Sequence, residues 1–364
     1  MRHDLYEAAQ LEELSDRLAA LAAARDRDGE FPHEAFAVLE SRGYSTQPPV
    51  GSGETAKLLR LLAAIGRGDL STGRIFEGHA NALLLVYRYG TPEQAAAYRA
   101  KAERGELFGV WNTDAPTDPL RLEEGHYAGK KNYASGVDGL SQAIVTMPTA
   151  GGRQMMLAPL DAASIDRSWW RPLGMRASGS HIIDLTGVSA DADHVLGQPD
   201  DYVREPWFSG GAIRFAAVHV GGMHAVLDAA LAHLTSTGRA GDPHQLHRLA
   251  RMGIAVESGY GWIDRAVGAW DAAESGRADD EAPAQALLAY ANATRSAVEA
   301  NALQVLETAE RAVGAAGFNA PHPLERLVRD LRTYLRQPNP DGALRSLGEA
   351  MATGDWHPGA VPRT

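Results

Sequence analysis

Two kinds of hydrophobic spacing alternate along the chain. From Leu11 to Ala22, apolar residues recur three and four positions apart (Leu11, Leu14, Leu18, Leu21, Ala22), which puts them on one stripe of a helix. Phe36 and Leu39 continue this spacing as far as Gly43, a residue type that commonly closes helices. The Pro/Gly-rich stretch Gln47–Gly53 reads as a loop. Helices are predicted over Thr55–Arg67, with Leu58, Leu61, Leu62 and Ile65 on one side, over Ser71–Tyr89, and beyond a Thr91 cap. Near Gly105 the spacing changes. As far as about Gly197, LFGVWN, HYAGKKNYAS, AIVTMP, RQMMLAPL and HIIDLTGV each suit a short strand, and Gly151–Gly152 between two of them signals a hairpin. After about Asp201 the helical period returns: Ile213–Leu234, apolar enough for burial on more than one side, then His244–Glu274, Ala282–Val313, Pro323–Leu335 and Asp341–Met351. The polar SGRADDEAP reads as a loop between the second and third of these, and the residues after Gly354 as a frayed tail. The expected architecture is α+β, with a helical domain over residues 1–104, a β-domain over 105–199 and a helical domain over 200–364.

Composition narrows the chemistry. The 364 residues carry no cysteine, which excludes disulfides, thiolate metal sites, iron–sulfur clusters and a cysteine nucleophile. Against 46 acidic residues stand 35 Lys and Arg, a net charge of −11. That balance argues against nucleic-acid binding, which needs a basic face, while leaving room for a local basic pocket. No run approaches the length of a membrane span and the N-terminus lacks an apolar signal core, so a cytoplasmic address is expected.

Most candidate motifs fail on spacing. GSGETAK (Gly51–Lys57) does not match a phosphate loop. His244 and His247 lack further metal ligands nearby, and MRASGS (Met175–Ser180) lacks the glycine two positions before the serine of a hydrolase elbow. WNTD (Trp111–Asp114) and NYASG (Asn132–Gly136) end two strands of one small domain with aromatic and hydroxyl residues, a pairing that suits a flat heterocyclic ligand. Gly314 and Gly317 close a long helix where backbone can approach a ligand, and Arg326, Arg329 and Arg332 follow at a three-residue period, as ion-pair partners or as a phosphate site.

In this order, FPHEAFAVLESRGY, Asp69–Ser71 with His79, YGTPEQ, GVWNTDAP, GKKNYASG, LGMRASGS followed by IIDLTGV, and VGAAGFNAPHPLERLVRDLR resemble the acyl-CoA dehydrogenase superfamily of flavoproteins from about Phe31 to about Met351. The resemblance implies an N-terminal helical domain, a middle β-barrel or sandwich and a C-terminal four-helix bundle. It also implies FAD, with FMN as the alternative, bound between the β-domain and the bundle in a homodimer or homotetramer. By the same likeness Trp111 and Thr113 would contact the isoalloxazine, and Ser135, followed by Gly136, would stand near its reactive nitrogen. Arg239 and Gln245 would reach the dinucleotide, and Gly314 and Gly317 would form the glycine turn near the pyrophosphate. The flavin carries the redox chemistry and the protein orients it.

The chain departs from the family at the base. Removing a proton next to a thioester carbonyl needs a positioned base. Where most members carry that glutamate the sequence has Pro338, and where a minority carry it, Ile213; Glu205 is the nearest upstream carboxylate. The first expectation is a FAD-dependent oxidoreductase acting on an acyl-CoA or acyl-like small molecule. The second is a reduced-flavin monooxygenase of the same fold, with His79 and Ser135 as its catalytic candidates. The third is a non-catalytic oligomeric scaffold. The neighbourhood of a terminal histidine found in many monooxygenases holds Tyr334 and Gln337 here. Arg239, Arg326 and Arg329 are the arginines expected to hold phosphate.

Overall fold

The computed structural model describes residues 5–276 and 281–359. Five helices come first: α1 (Ala8–Asp28), α2 (His33–Ser41), α3 (Thr55–Gly68), α4 (Leu70–Tyr89) and α5 (Pro92–Glu103). Asp69 caps α4 by accepting from the Thr72 amide at 2.8 Å. Thr91 and Gln94 form the capping box of α5, and the Gln94 carboxamide donates to the Asp193 and Val195 carbonyls at 3.0 and 2.9 Å, so this cap also fastens the helix to the β-region.

Nine strands follow: β1 (Phe108–Trp111), β2 (Arg121–Glu123), β3 (His126–Ala128), β4 (Lys130–Ala134), β5 (Gln142–Thr149), β6 (Gly152–Pro159), β7 (Ser164–Asp166), β8 (His181–Asp184) and β9 (Val195–Leu196). They form three sheets, β1-β5-β6-β9, β2-β3 and β4-β8-β7, rather than a closed barrel. β1 runs parallel to β5, pairing Trp111 with Val145. The β5–β6 hairpin pairs Gln142 with Pro159 and Thr149 with Gly152, as the double glycine signalled. HYAGKKNYAS, expected as one strand, is two, because Gly129 between them adopts φ +104°.

The C-terminal half holds α6 (Trp207–Gly210), α7 (Ala212–Ser236), α8 (Pro243–Ser275), α9 (Glu281–Val313), α10 (Pro323–Tyr334) and α11 (Pro340–Thr353). Most of the loop expected at SGRADDEAP lies outside the described residues. Trp207–Ser236 reaches the length and hydropathy of a membrane span, contrary to the sequence expectation, and 67% of its most apolar window is buried in the protein. Nor do the residues past Gly354 all fray: the Trp356 amide donates to the Ala350 carbonyl at 3.1 Å and its ring packs edge-on to Tyr290.

α3 and α7 cross with almost no side chain between them. A Cβ on Gly221 would stand 2.0 Å from the Ala63 carbonyl oxygen, and one on Gly66 would stand 2.4 Å from that of Val218. Gly221→Ala therefore forces two backbones apart, with an expected loss of about 2–3 kcal/mol; a denaturation midpoint matching the parent protein would contradict this contact.

α10 is the seam of the molecule. Arg329 pairs with Asp26 of α1 at 2.7 Å, and Arg326 pairs with Asp69 at 3.2 Å. Asp330, whose carboxyl burial raises to about 6, accepts from the Met175 amide at 2.6 Å. Gly174 lies so close to α10 that a Cβ there would stand 2.2 Å from the Arg329 carbonyl. The segment Leu173–Ser180 is thus a joint between the β-region and α10.

Candidate functional site

A cavity of about 590 Å³ opens between the β-region and the helices, within the ~300–1,000 Å³ typical of small-molecule sites. The loops after β1 and within β4 form one wall, with Trp111, Thr113, Asn132 and Tyr133. Lys131 holds these two loops together. Its ammonium, fully buried, donates to Asp114 at 2.5 Å and to the Asn112 carbonyl at 3.0 Å, and burial pulls its pKa down to about 8. The Asn132 amide adds a bond to the Thr113 carbonyl at 2.9 Å. Tyr133 is held at φ +54° with half its surface open, edge-on to Trp169. Such strain in a non-glycine residue is a feature of binding sites.

The opposite wall is helical and charged. α4 contributes Arg74, Glu77, Asn81 and Arg88, and α7 contributes Arg214 and Phe215. Glu77 is buried and accepts from Arg214 Nε at 3.0 Å and from Arg74 at 3.0 Å, while Arg214 reaches the Asn81 carboxamide at 2.6 Å. Arg88 stacks over the Trp207 ring with Cζ 3.5 Å from its centroid, a cation–π contact. α9 adds Arg295, and beyond α10 the wall is completed by Gln337 and Pro338.

The site residues expected from the sequence fall into three places. Trp111 and Thr113 line the cavity; Trp111 is itself almost fully buried, with its indole N–H 3.4 Å from the Ser135 carbonyl. Ser135 lies behind that wall, and its hydroxyl joins a chain through Ser180 at 2.8 Å and Ser178 at 2.9 Å to the Met175 carbonyl. Gly136, at φ +78°, packs against Ile75. His79 does not line the cavity. Its Nδ1 accepts from the Phe108 amide at 3.2 Å and its Nε2 donates to the Ser45 carbonyl at 2.8 Å. Both nitrogens are used, and burial lowers its pKa to about 4. In the structure His79 thus ties α4 to the loop after α2 and to β1.

The third place is remote from the cavity. Arg239 donates to the Ala312 carbonyl at 3.3 Å, and the buried Gln245 accepts from Arg239 and Arg248 at 2.8 and 3.2 Å. Gly314, at φ +77°, and Gly317, whose Cβ would meet Leu324 at 2.7 Å, form the turn beside them. Arg326 and Arg329, expected to hold phosphate, are instead spent on carboxylates in the α10 seam.

Pro338 stands in the cavity wall and its carbonyl accepts from Arg295 at 2.9 Å, whereas Ile213 is buried away from it. Glu205 lines the cavity with its carboxylate bonded to the Ser209 amide at 3.0 Å and to the Ser209 hydroxyl. Two tyrosine hydroxyls, of Tyr89 and Tyr334, are buried in this wall with no hydrogen-bond partner. Buried polar atoms of this kind are satisfied by ordered water or by a ligand.

Comparison with known proteins agrees with this architecture. Residues 201–335 match the family model for the acyl-CoA dehydrogenase C-terminal domain. The chain is 24% identical over 341 residues to a probable acyl-CoA dehydrogenase, YngJ, of Bacillus subtilis, covering 84% of this chain and 86% of that one. It is also 24% identical over 315 residues to a dibenzothiophene monooxygenase of Rhodococcus erythropolis, covering 76% and 75%. The fold superposes on TdsC from a Paenibacillus species, solved with FMN and indole, with a TM-score of 0.84 over 99% of both chains at 19% identity. Residues 201–335 thus match the acyl-CoA dehydrogenase C-terminal domain, and almost the whole chain has the fold shared by butyryl-CoA dehydrogenase and TdsC.

Proposed function

We propose that the protein is a flavin-dependent oxidoreductase, and that it inserts oxygen into a small molecule rather than dehydrogenating an acyl-CoA. The supporting observation is the state of the cavity's carboxylates. Glu77 is clamped by two arginines, Glu205 is engaged by Ser209, and a proline occupies the wall where the family's base would stand. None of these groups is placed to take a proton from carbon. The likeness to dibenzothiophene monooxygenase and to the FMN- and indole-bound TdsC points the same way.

The residues suit a flavin. Trp111 and Tyr133 offer aromatic surface, the backbone around Thr113 and Asn132 offers hydrogen-bonding edges, and the unpartnered Tyr89 hydroxyl supplies a free polar contact. A bound reduced flavin would supply the electrons that activate oxygen. The protein's part is to orient the ring, exclude water and hold the substrate. The Arg239–Gln245–Gly314 corner does not meet the cavity within one chain, so an FAD reaching both places would be shared between two copies.

Absorbance titration should show binding of FMN or FAD; failure of both would remove the flavin reading altogether. With reduced FMN and oxygen-18 gas, a small aromatic substrate is expected to gain one heavy oxygen atom. Under anaerobic conditions, butyryl-CoA should leave the bound flavin's visible band unchanged. Bleaching by the thioester would restore the dehydrogenase.

A further inference from the structure

Charge in the cavity runs against the charge of the whole chain. Five arginines (Arg74, Arg88, Arg214, Arg295, Arg345) but only two glutamates line it, in a protein of net charge −11. Both glutamates are already engaged. Arg295 makes no ion pair within 4 Å among the described residues; its hydrogen bond goes to the Pro338 carbonyl, and its guanidinium lies 5.4 Å from the Phe215 ring. Burial lowers its pKa, partly offset by the more distant Glu299 carboxylate.

Close by is Tyr334. One turn along α7 from Phe215, His219 lies 5.5 Å from that ring and stands edge-on to Tyr334 at 4.5 Å. Tyr334 is only 4% exposed, lines the cavity, and its hydroxyl has no partner. Leaving a hydroxyl buried and unpaired costs about 1–3 kcal/mol. Arg295, against Phe215, and Tyr334, against His219, thus both line one cavity, the first without a carboxylate within 4 Å and the second with a buried, unpartnered hydroxyl.

We propose that this corner is a subsite for an oxyanion, and that the substrate is a small molecule bearing a carboxylate or sulfonate. Arg295 takes the anionic oxygens and Tyr334 donates a hydrogen bond to one of them. This rests on the flavin reading above and names its substrate class. His219 is a positioning residue that holds the Tyr334 ring.

The test uses FMN-loaded protein, with benzoate as the anionic probe and benzamide as its neutral counterpart, both read by perturbation of the flavin band. Benzoate is expected to bind at least about tenfold more tightly than benzamide. Tyr334→Phe and Arg295→Gln should each weaken benzoate about tenfold and leave benzamide within about twofold. Equal binding of the two probes, or benzoate affinity untouched by both substitutions, overturns the proposal. If Arg295→Gln weakens FMN but not riboflavin, the arginine serves the cofactor's phosphate and the proposal also falls. Should the protein take no flavin, benzoate-dependent melting still reads the subsite, so the two failures are separable. Without ligand, Tyr334→Phe should raise the melting temperature by removing an unpaired hydroxyl. A lower value would assign the hydroxyl to the fold instead.

Discussion

Acidification from pH 7 to pH 4.5 is expected to destabilise the protein by roughly 3 kcal/mol, with proton uptake by two buried histidines. Burial lowers the pKa of His79 to about 4 and that of His219 to about 3, from the ordinary 6.5. Protonated His79 could no longer accept from the Phe108 amide, and both rings lie in low dielectric. Between the unfolded and folded values, the unfolded chain binds protons that the native state refuses. The stabilisation is complete above pH 6.5 and is lost as pH falls. Two units below 6.5 each histidine loses roughly 2–3 kcal/mol. Asp330 acts in the opposite sense: burial raises its carboxyl to about 6, so its protonation recovers roughly 2 kcal/mol over the same range. Chemical denaturation as a function of pH measures the net, and His219→Phe should remove about half of the histidine contribution. A stability that is flat or rising toward pH 4.5 would refute this assignment.

Loss of one partner from the Glu77–Arg214 pair is the second large effect. Both side chains are 8% exposed, and the pair joins α4 to α7 across the cavity floor. Glu77→Leu leaves Arg214 buried with only the Asn81 carboxamide, at an expected cost of about 3–5 kcal/mol. Arg214→Met is expected to be milder, because Arg74 still faces Glu77. In the double variant no buried charge is left without its partner, and most of the loss should be regained. A denaturant-melt cycle over the four proteins gives the coupling energy; if Glu77→Leu costs less than about 1 kcal/mol, water reaches the pair and it behaves as a surface bridge.

Helix spacing made the helical architecture legible from the chain. The stripe Leu58–Leu61–Leu62–Ile65 and the apolar run of α7 mark surfaces that are buried in the structure. The small strands were less legible. β2, β7 and β9 have two or three residues each, too short for a period of two to show, and Gly129 breaks a strand only because its φ is positive. At the site, Trp111 and Thr113 could be found because aromatic and hydroxyl residues at a strand end are unusual. Arg74, Glu77, Asn81 and Arg88 were missed although they form a polar stripe three to seven residues apart on an otherwise apolar helix; that interruption was the available signal. Lys131, Arg295 and Tyr334 had no local signal, since what distinguishes them is burial and the presence or lack of a partner in three dimensions. At His79, a family-like position in a helix cannot reveal that both ring nitrogens are engaged by backbone.

The α10 seam bears on how the chain is made. Arg329 and the Asp26 it pairs with are 303 residues apart in sequence. As the chain leaves the ribosome, α1 waits for a partner synthesised 303 residues later, and the loop around Gly174 waits for the same helix. Until then their charged and backbone groups face solvent or a chaperone. Formation of α10 thus follows the helices and sheets that it locks, and a chain cut short of Arg326 would lack an element that touches all three parts.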